Sequence, residues 1–159
     1  CTQSEFLSRG GVAAAGCYDD AFRVMKLATE HPNDLLGCIA VSGMFDLYDF
    51  RYYETDTSDL LEYLAVYFGE TIEENPELYR AYSPLHYADR ITVPTLLFSY
   101  RDTSYITIRE TEAMYEALTA NGTPCEFVEL TPLWVDFNEE AVEKTEEWLH
   151  ALSAAAQQK

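Results

Sequence analysis

Short apolar runs alternate with amphipathic stretches from residue 11 to the end of the chain, and this alternation constrains the fold most strongly. The apolar runs predict strands at 11–17, 37–42, 95–100 and 126–130. Continuous apolar runs separated by helical patterns are typical of parallel strands buried on both faces and joined by crossover helices. The sequence therefore predicts an α/β fold with a parallel sheet of about four strands and helices on both faces.

The predicted helices have recognisable ends. The first, at 19–30, stops before a His-Pro pair, since proline disfavours a helical residue before it. Before the fourth strand, Thr107 and Glu110 form a capping box and Gly122 is a left-handed cap. The last helix begins near residue 138 and carries one face of mainly apolar side chains, Val142, Thr145, Trp148, Leu149 and Leu152. We expect that face to pack on the sheet.

The length and composition of the chain predict one domain. The chain has 159 residues, of which 48% are hydrophobic, and this is enough for a single core. Residues 45–89 lie between the second and third predicted strands and hold 8 of the 12 tyrosines. We predict one α/β domain over 1–159, with a helical, cap-like excursion at 45–89.

The charge and the cysteines exclude several classes of partner. The chain has 10 Lys and Arg against 28 Asp and Glu, a net charge of −18, which opposes binding to nucleic acid or to an anionic membrane surface. No segment reaches 18 consecutive apolar residues, and no pair of the four cysteines forms a CxxC motif. We expect reduced cysteines, a cytoplasmic location, no cofactor and no metal.

Several segments resemble a known family. Residues 79–97, YRAYSPLHYADRITVPTLL, resemble the segment that enters the acid-bearing strand of α/β-hydrolases of the prolyl oligopeptidase-like peptidase and esterase families. Residues 112–118 resemble the helix after the acid loop, and residues 28–32 and 40–43 resemble the helix and strand after the nucleophile. The resemblance implies a partial α/β-hydrolase fold that corresponds to the C-terminal half of the family's domain.

The same resemblance implies that the catalytic triad is substituted. The family places a serine nucleophile in a G-x-S-x-G turn between a strand and a helix. In this chain the matching turn reads Gly-Cys-Tyr-Asp-Asp, so Tyr18 takes the nucleophile position. Thr103 falls on the acid position and Val135 on the histidine position. Because valine cannot accept a proton, the resemblance implies a catalytically defective domain.

An active serine hydrolase, an esterase or a peptidase of the prolyl oligopeptidase type, remains as the alternative. Ser8 lies in a Ser-Arg-Gly-Gly segment that resembles the S-x-G-G of the family, and Asp102 is one residue from the acid position. This alternative places Ser8 as the nucleophile and Asp102 as the acid, and it leaves the base unassigned.

Bulky side chains stand where the family usually has small residues or histidine. They are Tyr18, Tyr100, Tyr105, Leu133, Trp134 and Val135. Tyrosine and tryptophan supply much of the binding energy at protein interfaces. We predict a binding face for a protein partner or a small apolar ligand, with the alternative that these side chains fill the former pocket as core. The sequence leaves open whether the domain is a natural pseudoenzyme or an altered, truncated scaffold.

The first predicted strand raises a question about association. In the family, the strand beside it belongs to the N-terminal half of the domain. An apolar edge strand with unpaired backbone groups is a template for association. We therefore expect a homo-oligomer, a complementing fragment, or cover by residues 1–10 at the edge formed by residues 11–17.

Overall fold

The order of strands and helices matches an α/β alternation. The computed structural model describes residues 12–49, 58–100, 108–130 and 139–156. The elements in these ranges are β1 (Val12–Cys17), α1 (Asp19–Glu30), β2 (Leu35–Val41), α2 (Ser58–Phe68), α3 (Pro76–Ala81), β3 (Thr95–Tyr100), α4 (Ile108–Ala120), β4 (Cys125–Leu130) and α5 (Glu139–Ala156). Two 3₁₀ segments, Pro32–Asp34 and Pro84–Arg90, precede β2 and β3.

The four described strands form one parallel sheet in the order β1-β2-β3-β4. The prediction of a parallel sheet of about four strands is confirmed, and the third strand has the predicted bounds. The second strand begins earlier than predicted, at Leu35, and ends at Val41. It ends there because Ser42 has a φ of 47°, which is incompatible with extended backbone.

Helices cover both faces of the sheet, as predicted. On one face, α1 and α4 pack against alternate strand residues in a core that includes Met25, Cys38, Leu97, Met114 and Leu118. On the other face, α5 packs over a second core that includes Ile39, Leu96, Phe98, Leu130 and Trp148. Side chains of a strand alternate between faces, so neighbouring residues such as Cys38 and Ile39 belong to different cores.

The second half of α5 lies close to β2. A Cβ atom at Gly37 would lie 2.6 Å from the ring of Trp148 and 3.0 Å from Leu152, so glycine permits this approach. Of the predicted contact face of α5, Trp148 and Leu152 pack on the sheet, whereas Val142 and Leu149 are 36% and 38% exposed. Ala141 packs against the sheet side instead.

Between β2 and β3, α2 and α3 pack with Phe22 of α1 in a small core that contains Phe22, Met44, Leu47, Leu64, Ile72 and Tyr79. The 3₁₀ segment before β3 also packs on α1, and its Ala88 belongs to the main core. Cation–π contacts add to this packing: Arg23 lies over the ring of Tyr67, and Lys26 lies over those of Tyr82 and Tyr87. These helices lie within 45–89, and the cap-like role of that segment stays a prediction.

The buried carboxylate of Glu110 joins α4 to the segment after β2. Its Oε2 accepts hydrogen bonds from the backbone N–H groups of Phe45 and Asp46, both at 3.0 Å. The side chain has no exposed surface. The sequence assigned Glu110 to a capping box, whereas the structure gives Oε2 two partners from a distant part of the chain. Thr107 lies outside the described residues.

Candidate functional site

The carboxyl ends of the four described strands meet at one edge of the sheet. Their last residues are Cys17, Val41, Tyr100 and Leu130, and the parallel register brings these ends side by side. In parallel α/β sheets, ligands bind in the crevice beyond this edge. This edge is therefore the candidate site.

Tyr18 connects β1 to α1 in a strained turn. Its φ is 54° and its ψ is −116°, which lies outside the allowed left-handed helical region. The N–H of Tyr18 donates to the carbonyl of Val41 at 2.9 Å, and its own carbonyl accepts from the N–H of Ala21 at 3.1 Å. A bulky residue in such a conformation persists only where the surrounding structure holds it, at a cost of about 1–3 kcal/mol.

The tight turn depends on the glycine two residues before Tyr18. A Cβ atom at Gly16 would lie 2.5 Å from the carbonyl oxygen of Asp20 and 2.9 Å from the backbone nitrogen of Ala21. Both atoms belong to the backbone, so they cannot swing aside. The turn thus combines a positive φ with a close approach of the helix to the strand, and α/β-hydrolases use such a turn to expose a nucleophile.

Tyr18, Tyr100 and Cys17 are near one another at this edge. Burial raises the pKa of Tyr100, and the neighbouring Tyr18 and Cys17 raise it further. Burial, followed by the charge of Asp20, raises the pKa of the Cys17 thiol as well. Because the thiolate is the reactive form of cysteine, this environment does not activate Cys17 as a nucleophile.

A tyrosine from α2 reaches the start of α1, and no sequence pattern predicted this contact. The hydroxyl of Tyr63 donates to Oδ2 of Asp19 at 3.4 Å, and the ring of Tyr63 stacks with that of Tyr67 at 6.5 Å. Arg23 forms ion pairs with Asp20 at 2.6 Å and Asp19 at 3.8 Å. These contacts fix α2 beside the start of α1. The hydrogen bond from Tyr63 to Asp19 joins residues 44 positions apart, so neither periodicity nor a local motif indicates it.

Most of the residues predicted for the site lie outside the described part of the chain. These are Ser8, Asp102, Thr103, Tyr105, Leu133, Trp134 and Val135. The structure thus brings together Tyr18 and Tyr100 from the predicted binding face and does not test the others. The predicted substitution of the triad at Thr103 and Val135 stays a prediction.

The described histidines have other surroundings. His31 lies 3.5 Å from Asp34, and His86 lies 3.3 Å from the nearly buried Asp46. His150 is exposed on α5. Within the described ranges, no group of three or more His, Cys, Asp or Glu side chains is arranged to hold a metal ion.

An apolar groove lies under the edge, between the sheet and the first half of α5. Its volume is about 400 Å³. Four strand residues form its floor, namely Ile39, Val41, Phe98 and Leu130. Binding sites for small molecules have this size and this apolar character. The groove is a second feature that the sequence did not predict.

The fold agrees with solved structures of hydrolases. A puromycin hydrolase matches with a TM-score of 0.69 and 23% identity over 78% of this chain and 18% of that chain. The acylaminoacyl peptidase of Pyrococcus horikoshii matches with a TM-score of 0.64 and 20% identity, over 78% and 20% of the two chains. The monoacylglycerol lipase of Paleococcus ferrophilus matches with a TM-score of 0.65 and 16% identity, over 90% and 69%.

These similarities define the class of protein as an α/β-hydrolase fold, and its structural neighbours are prolyl oligopeptidase-like peptidases and a lipase. The chain has part of that fold, since it spans about a fifth of the length of these peptidases. No family model and no curated protein sequence matches the chain. In the part that the structure describes, no helix is long and apolar enough to cross a membrane.

Proposed function

We propose that this chain is a non-catalytic α/β-hydrolase-fold domain that binds a partner or ligand at the edge where the strands end. The observation that carries the proposal is the strained turn at Tyr18, with φ 54° and ψ −116°. A hydrolase turn of this kind presents a serine to the substrate. Here the turn presents the phenol of Tyr18, which is an aromatic side chain suited to contact with a partner or ligand.

The partners of the described histidines and the exposure of Tyr18 also support a binding role. Acyl transfer by serine requires a base within hydrogen-bond reach of the nucleophile. Among the described residues, His31 and His86 pair with Asp34 and Asp46 instead. Tyr18 is 39% exposed, and Tyr100 and Tyr63 stand nearby at the same edge. Rigid aromatic side chains contribute large contact area at low cost in conformational entropy.

A covalent probe tests the catalytic part of the proposal. The chain is treated with a fluorophosphonate, and its intact mass and peptides are measured beside a Ser8→Ala variant. We expect no adduct on either protein. Stoichiometric labelling of a serine in the wild type would overturn the proposal in favour of a serine hydrolase, and its loss in Ser8→Ala would assign the nucleophile.

The Trp134→Ala variant tests the binding part. If Trp134 belongs to a binding face, we expect the free energy of unfolding to fall by less than about 1 kcal/mol, as for an exposed interface residue. A loss of about 3–5 kcal/mol would show that the aromatic side chains fill the former pocket as core. Trp148→Ala is the matched control, since Trp148 is a described core residue with 7% exposure.

We also propose that the β1 edge is a site of association. Among the described strands β1 pairs only with β2, and its residues Ala13, Ala15 and Cys17 are exposed. Unpaired strand edges pair readily with another chain. Light scattering after size exclusion, over a range of concentrations, distinguishes a homo-oligomer from a monomer that awaits a fragment. Ala15→Lys should abolish association, whereas the exposed Ala154→Lys should not, and a wild type that is monomeric and pairs with no added fragment contradicts the proposal.

A further inference from the structure

The first half of α5 leaves a groove between the helix and the sheet, whereas the second half packs directly on the sheet. Four residues of α5 face the sheet: Ala141, Thr145, Trp148 and Leu152. The spacing of three or four residues places them on one stripe. The two large side chains pack tightly over Gly37, whereas the two small ones lie along the groove. The 400 Å³ groove lies beside the two small residues of this stripe, and Val142 from the same part of α5 also lines it.

The lining of the groove is mainly apolar and includes a few polar residues. The floor is formed by aliphatic and aromatic strand residues, as described above. Cys17, Tyr100, Thr145 and Glu146 also line the groove, and Glu146 is the charged residue among the described lining residues. Apolar binding sites hold the hydrophobic part of a ligand, while a few polar groups fix its orientation.

The charge of the described lining selects among hydrophobic ligands. Among the described residues that line the groove none is cationic, and Lys144 on the same helix forms an ion pair with Glu126 at 2.7 Å. The net charge of the chain is −18. A carboxylate head group would therefore meet Glu146 without a compensating cation, whereas a hydroxyl or an ammonium group would meet an acceptor.

We propose that the groove between the sheet and the first half of α5 binds a small hydrophobe with a neutral or cationic head group. This inference rests on the proposed function, because the groove reaches the edge at Cys17 and Tyr100, and it names the ligand class. Labelling by a fluorophosphonate would disprove the non-catalytic role but would not show whether the groove binds a hydrophobe. The two ideas can thus fail separately.

The experiment uses the fluorescence of Nile red, a neutral hydrophobe, in a titration of the intact chain. We expect saturable binding of one dye per chain. Ala141→Phe should weaken it at least tenfold, since the larger side chain fills the groove. Ala151→Phe is the matched control on the same helix, at an exposed position, and should leave the affinity unchanged. Unchanged binding in Ala141→Phe, or equal losses in both variants, would overturn the proposal.

A set of ligands with one tail tests the head group. Octylamine, 1-octanol and octanoate share an eight-carbon skeleton, carry a cationic, a neutral and an anionic head group, and compete with Nile red. We expect the amine and the alcohol to displace the dye at concentrations at least threefold lower than octanoate. Glu146→Gln should remove most of this difference, and Glu147→Gln, which does not line the groove, should preserve it. Equal displacement by octanoate, or the same response in both glutamine variants, contradicts the assigned head group.

If Ala141→Phe unfolds, two further experiments still test the proposal. Thr145→Leu is a second filling variant, and a photoreactive octanol derivative maps the site on the wild type without any substitution. We expect crosslinks in peptides that contain residues 98–100 or 139–146, and crosslinks confined to other peptides would overturn the proposal. Dye binding that occurs only at concentrations where the chain dimerises would assign the groove to a second copy and would overturn it too.

Discussion

The Cβ atom that an alanine would place at Gly16 lies 2.5 Å from the carbonyl oxygen of Asp20, four residues later in the chain. This distance means that the end of β1 and the first turn of α1 are in contact through their backbones. Only glycine at position 16 allows the turn that contains Tyr18. The conformation of the candidate site therefore depends on a residue that takes no part in binding.

Gly16→Ala should destabilise the domain by about 2–3 kcal/mol, because the added methyl group overlaps backbone atoms of α1. Urea unfolding followed by circular dichroism measures this. Ala15→Ser, at the exposed neighbouring position, should change the free energy of unfolding by less than about 0.5 kcal/mol. Equal stability of Gly16→Ala and the wild type would show that the close approach does not exist in solution.

The positive φ of Tyr18 predicts an unusual order of two variants. Tyr18→Gly should be more stable than Tyr18→Ala by about 1 kcal/mol, because glycine adopts φ 54° without strain. At Leu27 in α1 we expect the usual order, in which Leu27→Ala is more stable than Leu27→Gly by about 1 kcal/mol. Both pairs are compared by urea unfolding, and an alanine variant that is the more stable at position 18 would show a relaxed turn there.

Glu110→Ala should cost about 3 kcal/mol, since it removes a buried acceptor from two backbone N–H groups. The exposed Glu112→Ala on the same helix should have little effect. Hydrogen exchange of the Phe45 and Asp46 amides gives a local measurement. These amides should exchange faster in Glu110→Ala and at the wild-type rate in Glu112→Ala. Slow exchange in both variants would mean that other groups protect this segment.

Cys38 predicts a loss of stability at high pH. Burial raises the pKa of its thiol from 9.0 to about 12. Because the folded state favours the neutral thiol, its contribution is complete below pH 9 and is lost as pH rises from 9 to about 12. The loss is about 1.4 kcal/mol per pH unit in that window.

Comparison with Cys38→Ala isolates this effect from the titration of other groups. The difference in free energy of unfolding between the two proteins should shift against the wild type by about 2 kcal/mol between pH 8.5 and 10.5. A difference that stays constant with pH would mean that the Cys38 thiolate is tolerated in the folded state.

Local signals predicted the parallel sheet and its helices well. The bounds of β3 and α1 agree with the prediction, and Gly122 has the left-handed φ of 77° expected after α4. These features depend on residues close in sequence: an apolar run, a proline, or a glycine that ends a helix. The resemblance to hydrolases also rests on contiguous segments, and the fold confirms the class.

The contents of the site depended on contacts between distant segments. The carboxylate of Glu110 reaches the backbone 65 residues earlier in the chain, and Tyr63 reaches Asp19 from a helix whose sequence indicates no such contact. The groove under α5 depends on how far the helix sits from the sheet, which Trp148 and Gly37 set together.

The sequence by itself determined the alternation of strands and helices, the sheet they form, and the tyrosine that follows the first strand. Periodicity and turn chemistry act within a few residues, so a chain read in order reveals them. The tertiary structure alone decided the strained backbone of Tyr18, the partners of Glu110 and the space beside Ala141. Each of these is set by close packing between segments that are far apart in sequence, and sequence order does not contain those distances.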